Sequence, residues 1–282
     1  MTLQQQIDLY LSKCLDGEGT MSDEILDRFA ERCKETMKLQ FNEGPRDFKI
    51  SMSSVGKPLC QQQMAKKKAK RERPPSSLKM KMAYGYLVEN LVMAVLEAAD
   101  VNIESVQEKV KYQLNGTTIE GTLDVVIDGK VYDIKSASKY AYDRKFSKEN
   151  GFELMKADDP FGYIAQGYLY GAGAGKPFGG WIAMNKETGG IAVCETPRNE
   201  EELKKAAIKS AEKNAHALEN NEPFKRCFKP APELFRKKHT GDYVLHVNCS
   251  YCQFKHPCWG SEITFRKSKK AVSHKWFFHR GG

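Results

Sequence analysis

Nothing in these 282 residues approaches the run of about 20 apolar residues that a membrane-spanning helix needs. The opening stretch, MTLQQQIDLYLSK, lacks the basic-then-apolar layout of a secretory signal. The expectation from both absences is a cytoplasmic protein with no membrane partner. Internal repeats are missing, and so is any low-complexity tract beyond one basic run. A nucleotide-binding loop is absent too. GAGAGKP, residues 171–177, has its glycines one residue too close, and proline stands where the metal-binding hydroxyl belongs. That stretch reads as a glycine-rich helix stop. The chain therefore has no motor of its own, and any helicase would be a separate partner.

What is present begins with charge. Lys and Arg number 45 against 36 Asp and Glu, a formal charge of +9. The excess is local. KKKAKRER, residues 66–73, carries six positive charges and one negative, and residues 264–282 carry six positive and none negative, which leaves the remainder at about −2. Concentrated basicity suits phosphate contact, and the candidate DNA-binding residues are Lys66, Lys67, Lys68, Lys70 and Arg71, with Arg144 and Lys145 in a charged loop at 141–159. A solvated charged loop is the alternative for either segment. Trp276, Phe277 and Phe278 in the basic tail could stack on bases or pack onto the domain.

The apolar spacing predicts an amphipathic helix from Ser22, with Leu26, Phe29, Cys33, Met37 and Phe41 on one face, broken by EGPRDF. Residues 78–99 are apolar on nearly every face and read as a buried helix with Glu89 in its middle. Three segments of period two follow, VQEKVKYQL, TIEGTLDVVI and KVYDIKSAS, the last two separated by Asp128-Gly129. FGYIAQGYLYGAG reads as a helix ending at glycine. FGGWIAMN and GIAVCETP read as strands, and a final amphipathic helix opens with Asn199 and Glu202 spaced as a capping box. This order implies an α/β fold, a mixed central sheet flanked by helices.

A two-residue turn at Asp128-Gly129 sets the register: Ile127 opposite Lys130, Val126 opposite Val131, Val125 opposite Tyr132, and Asp124 opposite Asp133. Opposed like charges destabilise a sheet, and a cation would turn that repulsion into coordination. Lys135, two residues beyond Asp133, shares its face. Oxygen ligands of this kind suit Mg²⁺ or Mn²⁺, and a lysine beside them can orient water and offset charge on a phosphate. Glu89 is a third candidate carboxylate, with a solvent-facing position as its alternative.

GTLD, DIKS and QGYLY, preceded by GYLVE at residues 85–89, resemble the successive motifs of the PD-(D/E)XK nucleases of the RecB and λ-exonuclease-like group. The resemblance covers residues 85–170. It implies a restriction-endonuclease-like core and metal-dependent hydrolysis of phosphodiester bonds in DNA that is single-stranded or has ends. The setting it implies is recombination, repair or phage DNA metabolism, in a bacterial cell or phage-infected host, with a recombinase or helicase as separate partner. By the same likeness Glu89, Asp124, Asp133 and the carbonyl of Ile134 would hold the metal, Lys135 would be catalytic, and Gln166 and Tyr170 would support the lysine or substrate. Many relatives have glutamate where this chain has Asp133. A structure-specific endonuclease, or an inactive DNA-binding protein, is the alternative reading.

Eight cysteines without a secretory layout suggest thiols or metal ligands rather than disulfides. Cys249, Cys252 and Cys258 form a C-x2-C-x5-C triplet, which lacks a fourth ligand. A subset of the same nuclease group, including the AddB nuclease domain and CRISPR adaptation nucleases, carries one cysteine before the core and three after it, on a [4Fe–4S] cluster. That likeness makes Cys60 the fourth ligand of a C-terminal cluster module. Zinc is the alternative, with His246 and His256 close in sequence. Cys14, Cys33, Cys194 and Cys227 read as core or surface thiols. The expected organisation is a helical region at 1–76, a nuclease core at 77–225 and a cysteine-bearing segment at 226–282.

Overall fold

The structure, a computed structural model, describes all residues except 45, 46, 148, 198, 199 and 280–282. The expected capping residue Asn199 lies outside the described residues, as does part of the helix-breaking EGPRDF segment. The chain opens with α1 (Leu3–Leu15), α2 (Asp23–Phe41), α3 (Met52–Val55), α4 (Leu59–Lys66) and α5 (Ser77–Ala98). Strands β1 (Ile103–Val106), β2 (Lys109–Leu114), β3 (Thr117–Thr122), β4 (Val125–Ile127) and β5 (Lys130–Ala137) follow. A crossover of α6 (Lys139–Ala141), a π-helical turn (Tyr142–Phe146), α7 (Gly151–Ala157) and α8 (Tyr163–Ala174) leads to β6 (Phe178–Asn185) and β7 (Ile191–Glu195). Then come α9 (Glu201–Glu219), β8 (Ala231–Phe235), β9 (Lys238–Val244), α10 (Val247–Ser250), α11 (Lys255–Trp259), a 3₁₀ turn (Gly260–Glu262), β10 (Ile263–Lys267) and β11 (His274–Phe278).

Two compact units result, Met1–Gly56 with Ser76–Ala215, and Lys57–Pro75 with His216–Gly282. The first is built on a mixed five-stranded sheet in the order β1-β4-β5-β6-β7. Its β5 and β6 are parallel, which requires the helical crossover, and the other neighbours are antiparallel. Alternate residues of the strands face opposite ways. Val126, Val131, Trp181 and Ala183 share a core with Tyr168 and Leu169 of α8 and Ala211 and Ala215 of α9. Val125, Ile127, Tyr132, Ile134 and Ile182 share another with Leu3 and Ile7 of α1 and Val92 and Leu96 of α5. This is the mixed sheet flanked by helices that the order of elements predicts.

The β4–β5 turn has Asp128 at φ 48° and Gly129 at φ 75°, both left-handed, as a two-residue hairpin demands. Val125 pairs with Tyr132, Val126 with Val131 and Ile127 with Lys130, in the predicted register. At other places the structure departs from expectation. TIEGTLDVVI is two strands: β3 pairs with β2 in a separate hairpin, and the chain changes partner at Leu123 and Asp124. Helix α5 is buried mainly from Val88 onward; before that only Ala83 and Gly85 are buried, and Met80, Met82, Tyr84 and Tyr86 are exposed. Helix α2 starts at Ser22, whose hydroxyl accepts from the Ile25 N–H at 3.4 Å, but Leu26, Met37 and Phe41 on its apolar face are exposed. The glycine-rich stop after α8 is a left-handed cap at Gly175, φ 65°.

The second unit carries a four-stranded antiparallel sheet, β10-β11-β9-β8, with α4, α10 and α11. The tail aromatics pack. Phe277 is buried under the Arg266 guanidinium at 3.6 Å, Trp276 lies 5.1 Å from both Phe265 and His256, and Phe278 lies 5.8 Å from Trp259.

Candidate functional site

The β4–β5 ladder ends one step before Asp124, and its carboxylate is fixed by other means. Asp124 Oδ2 accepts from the Ile134 N–H at 2.8 Å, and Oδ1 accepts from Gln107 Nε2 at 3.1 Å. Asp133 is 1% exposed and makes an ion pair with Lys135, Nζ to Oδ2 at 2.6 Å. Glu89 arrives from the other layer. A Cβ on Gly85, one turn earlier, would stand 2.9 Å from Ser136 Oγ, so a larger residue there would require the serine hydroxyl to turn away. Glu89, Asp124, Gln107 and Ile134 line one cavity of about 570 Å³, walled by Tyr86 and Asn90.

The electrostatics follow from this crowding. Burial pushes the Glu89 carboxyl up to about 7, with Lys135 opposing and Asp124 and Asp133 adding to the rise. Burial likewise pushes Asp133 up to about 7, Lys135 again opposing and Asp124 reinforcing. Burial works against the charge on Lys135, but Asp133 and Asp124 outweigh it and hold the ammonium firmly protonated. Lys135 is thus the internal counter-ion of three carboxyl groups, and the donors are the hard oxygens that Mg²⁺ or Mn²⁺ takes. Among the described residues, no three His, Cys, Asp or Glu side chains converge tightly enough to hold a metal ion as they stand.

Helix α8 supplies the backing. Gln166 Nε2 donates to Tyr170 Oη at 2.9 Å, both buried, and a Cβ on Gly121 would collide with the Tyr170 ring. Two residues were not singled out from sequence. The Tyr163 ring lies 5.1 Å from Lys135 Nζ, a cation–π contact that Asp159 secures by accepting the N–H groups of Tyr163 and Ile164 at 2.9 Å each. Gln107 has left-handed backbone, φ 51°, and its N–H donates to the Asp124 carbonyl at 2.9 Å. For Tyr163 the spacing to Gln166 and Tyr170 on one helix face was the available signal.

The basic residues divide. Lys66 donates to the Leu218 carbonyl, Lys145 pairs with Asp158 at 3.0 Å, and Arg144 covers the Tyr140 ring. Arg71 lies over Phe254, while Lys67, Lys68 and Lys70 are exposed.

Within the second unit, Cys60, Cys249, Cys252 and Cys258 line one hollow. The thiols of Cys249 and Cys252 are pushed up by burial, Cys249 to about 11, and Trp259 opposes the rise at Cys249. Trp259 Nε1 is buried without an acceptor at hydrogen-bonding geometry among the described residues. The Phe254 N–H donates to Cys252 Sγ at 3.4 Å. His246 is occupied otherwise: its ring stacks on Phe228 at 4.5 Å and its Nδ1 accepts from the Asn248 N–H at 3.3 Å. Cys227, read from sequence as an ordinary thiol, lies beside Cys60, whose N–H donates to its sulfur at 3.1 Å.

No family model and no curated protein matches the chain. Among solved structures it is similar to SSO0001, at 12% identity and a TM-score of 0.42, over 80% of this chain and 93% of that one. It is also similar to a "Putative exonuclease" from Eubacterium rectale, at 14% identity and a TM-score of 0.42, over 70% and 89%. Neither likeness is close enough to bear on function.

Proposed function

We propose that the protein is a metal-dependent deoxyribonuclease with a restriction-endonuclease-like core of PD-(D/E)XK type, acting from DNA ends. The observation that carries this reading is the meeting of α5 and the β4–β5 hairpin at one cavity, where Glu89 and Asp124 line the wall, Asp124 accepts from the Ile134 N–H at 2.8 Å, and Asp133 pairs with Lys135 at 2.6 Å. Glu89, Asp124, Asp133 and the Ile134 carbonyl would hold Mg²⁺ or Mn²⁺. When bound, the cation would polarise a phosphate oxygen and acidify water.

The chain's own residues do the rest. Gln107 and the Ile134 N–H orient Asp124, leaving further lone pairs on both its oxygens. Lys135 remains protonated, so it serves as an orienting and charge-offsetting group for water and phosphate rather than as a base. Tyr163 keeps that ammonium over a ring face, and the Gln166–Tyr170 pair fills the space behind the site. Lys67, Lys68, Lys70, Arg71 and Arg144 are the proposed backbone contacts, to be assigned by salt dependence of DNA binding. A separate recombinase or helicase would supply ends in a recombination or repair setting.

Four cysteines of the second unit line one hollow and offer thiol ligands for a [4Fe–4S] cluster, with a single zinc ion as the alternative. Cys60, Cys249, Cys252 and Cys258 would hold it, stapling Lys57–Pro75 to the C-terminal segment within that unit. Its task would be structural, since hydrolysis needs no electron transfer.

The experiment is digestion of end-labelled linear and covalently closed circular DNA with Mg²⁺ or Mn²⁺. Loss of the linear form alone is expected. Nicking of the circle would favour the endonuclease, and no cleavage of either would favour a DNA-binding protein without activity.

A further inference from the structure

We propose that Cys60 and Cys227 are interchangeable fourth ligands at one corner of the cysteine centre, an inference that rests on the cluster reading. A cuboidal cluster of this kind takes four thiolates, and the second unit places a fifth cysteine, Cys227, beside Cys60. Cys249, Cys252 and Cys258 supply three. For the fourth position two cysteines stand side by side: the Cys60 N–H donates to Cys227 Sγ at 3.1 Å.

Each has an independent tie to the site. Cys60 lines the hollow directly, on the first turn of α4. Cys227 is held by both flanks. Arg226 donates from Nε and Nη2 to the Cys258 carbonyl at 3.1 and 2.8 Å, and its guanidinium lies 4.1 Å from the Trp259 ring centre. Phe228 lines the hollow and stacks on His246, the residue that caps the helix carrying Cys249. With Phe228 on the wall of the hollow and the Cys60 N–H on its sulfur, Cys227 is the cysteine next in line for a place that Cys60 vacates. An N–H directed at sulfur is also the kind of outer contact that metal-bound thiolates use.

The test takes the full chain, Cys60→Ala, Cys227→Ala and the double variant. Each is purified anaerobically, reconstituted with ferrous iron and sulfide, and scored for iron and sulfide per chain and visible absorption, with circular dichroism alongside. Each single variant should keep most of the parent's iron, and the double variant should lose nearly all of it. Complete loss of iron from either single variant, with the parent still loaded, overturns the interchange but not the cluster reading, and iron retained by the double variant overturns the interchange equally. A parent that takes up zinc and no iron overturns the cluster reading itself. Should the double variant not fold, alkylation of the iron-loaded parent with mass spectrometry decides. Partial protection of both Cys60 and Cys227 is expected, and a fully reactive Cys227 beside a protected Cys60 contradicts the proposal.

Discussion

Asp133 has a carboxylate oxygen in ion-pair contact with Lys135 and almost no exposure to water, so each of the two residues depends on the other for its charge. The hairpin turn and the alternation of β5 made this pair legible in the sequence, because a fixed register needs only local information. Gln107 was not legible. Its role depends on a left-handed backbone that glycine ordinarily takes, and on a contact 17 residues away with Asp124. Cys227 was missed for the same reason, since its neighbour Cys60 is 167 residues distant. Gln107→Ala should weaken Mg²⁺ activation by about 10-fold, the usual scale for a group that orients a ligand. Titration of activity against Mg²⁺ checks this, and an unchanged half-saturation with lower turnover would place Gln107 elsewhere in the reaction.

Among the elements, α8 does most to shape the site, since it brings Tyr163, Gln166 and Tyr170 to the sheet. Its close approach depends on Gly167, where a Cβ would run into the Phe178 ring. Gly167→Val should cost about 2 kcal/mol by overpacking, read as a lower urea midpoint at unchanged slope. If the midpoint does not move, α8 is less tightly seated than the packing indicates. The helix itself was readable from FGYIAQGYLYGAG because apolar content and a terminal glycine coincide. The exposed half of α5 was not, because an apolar pattern shows what can be buried and not what lies opposite. The break between β3 and β4 was hidden likewise: alternation runs through Leu123 and Asp124 although the partner strand changes there.

At the scale of the whole molecule the site leaves a signature in the pH dependence of stability. Glu89 and Asp133 are raised to about 7 from ordinary values of 4.5 and 3.8. Between those ordinary values and 7 the folded chain binds more protons than the unfolded one, so stability falls as pH rises through that window. Cation binding competes with those protons. Mn²⁺ should therefore raise the melting temperature more at pH 8 than at pH 5.5, with protons released on binding, as followed by calorimetry in buffers of different ionisation enthalpy. Equal shifts at both pH values would mean that these carboxyls do not meet the cation. The cysteine centre should behave as part of the fold: Cys249→Ala is expected to lower the melting temperature before it lowers specific activity.

The most direct test of the central claim is degradation of end-labelled linear DNA in Mg²⁺ or Mn²⁺ by the parent and by Lys135→Ala, with circular dichroism to match their folding. Cleavage by the parent is expected, with a loss of ~10²-fold or more in the variant, the scale of removing a charge that stabilises the transition state. A folded variant that degrades DNA as fast as the parent would contradict it.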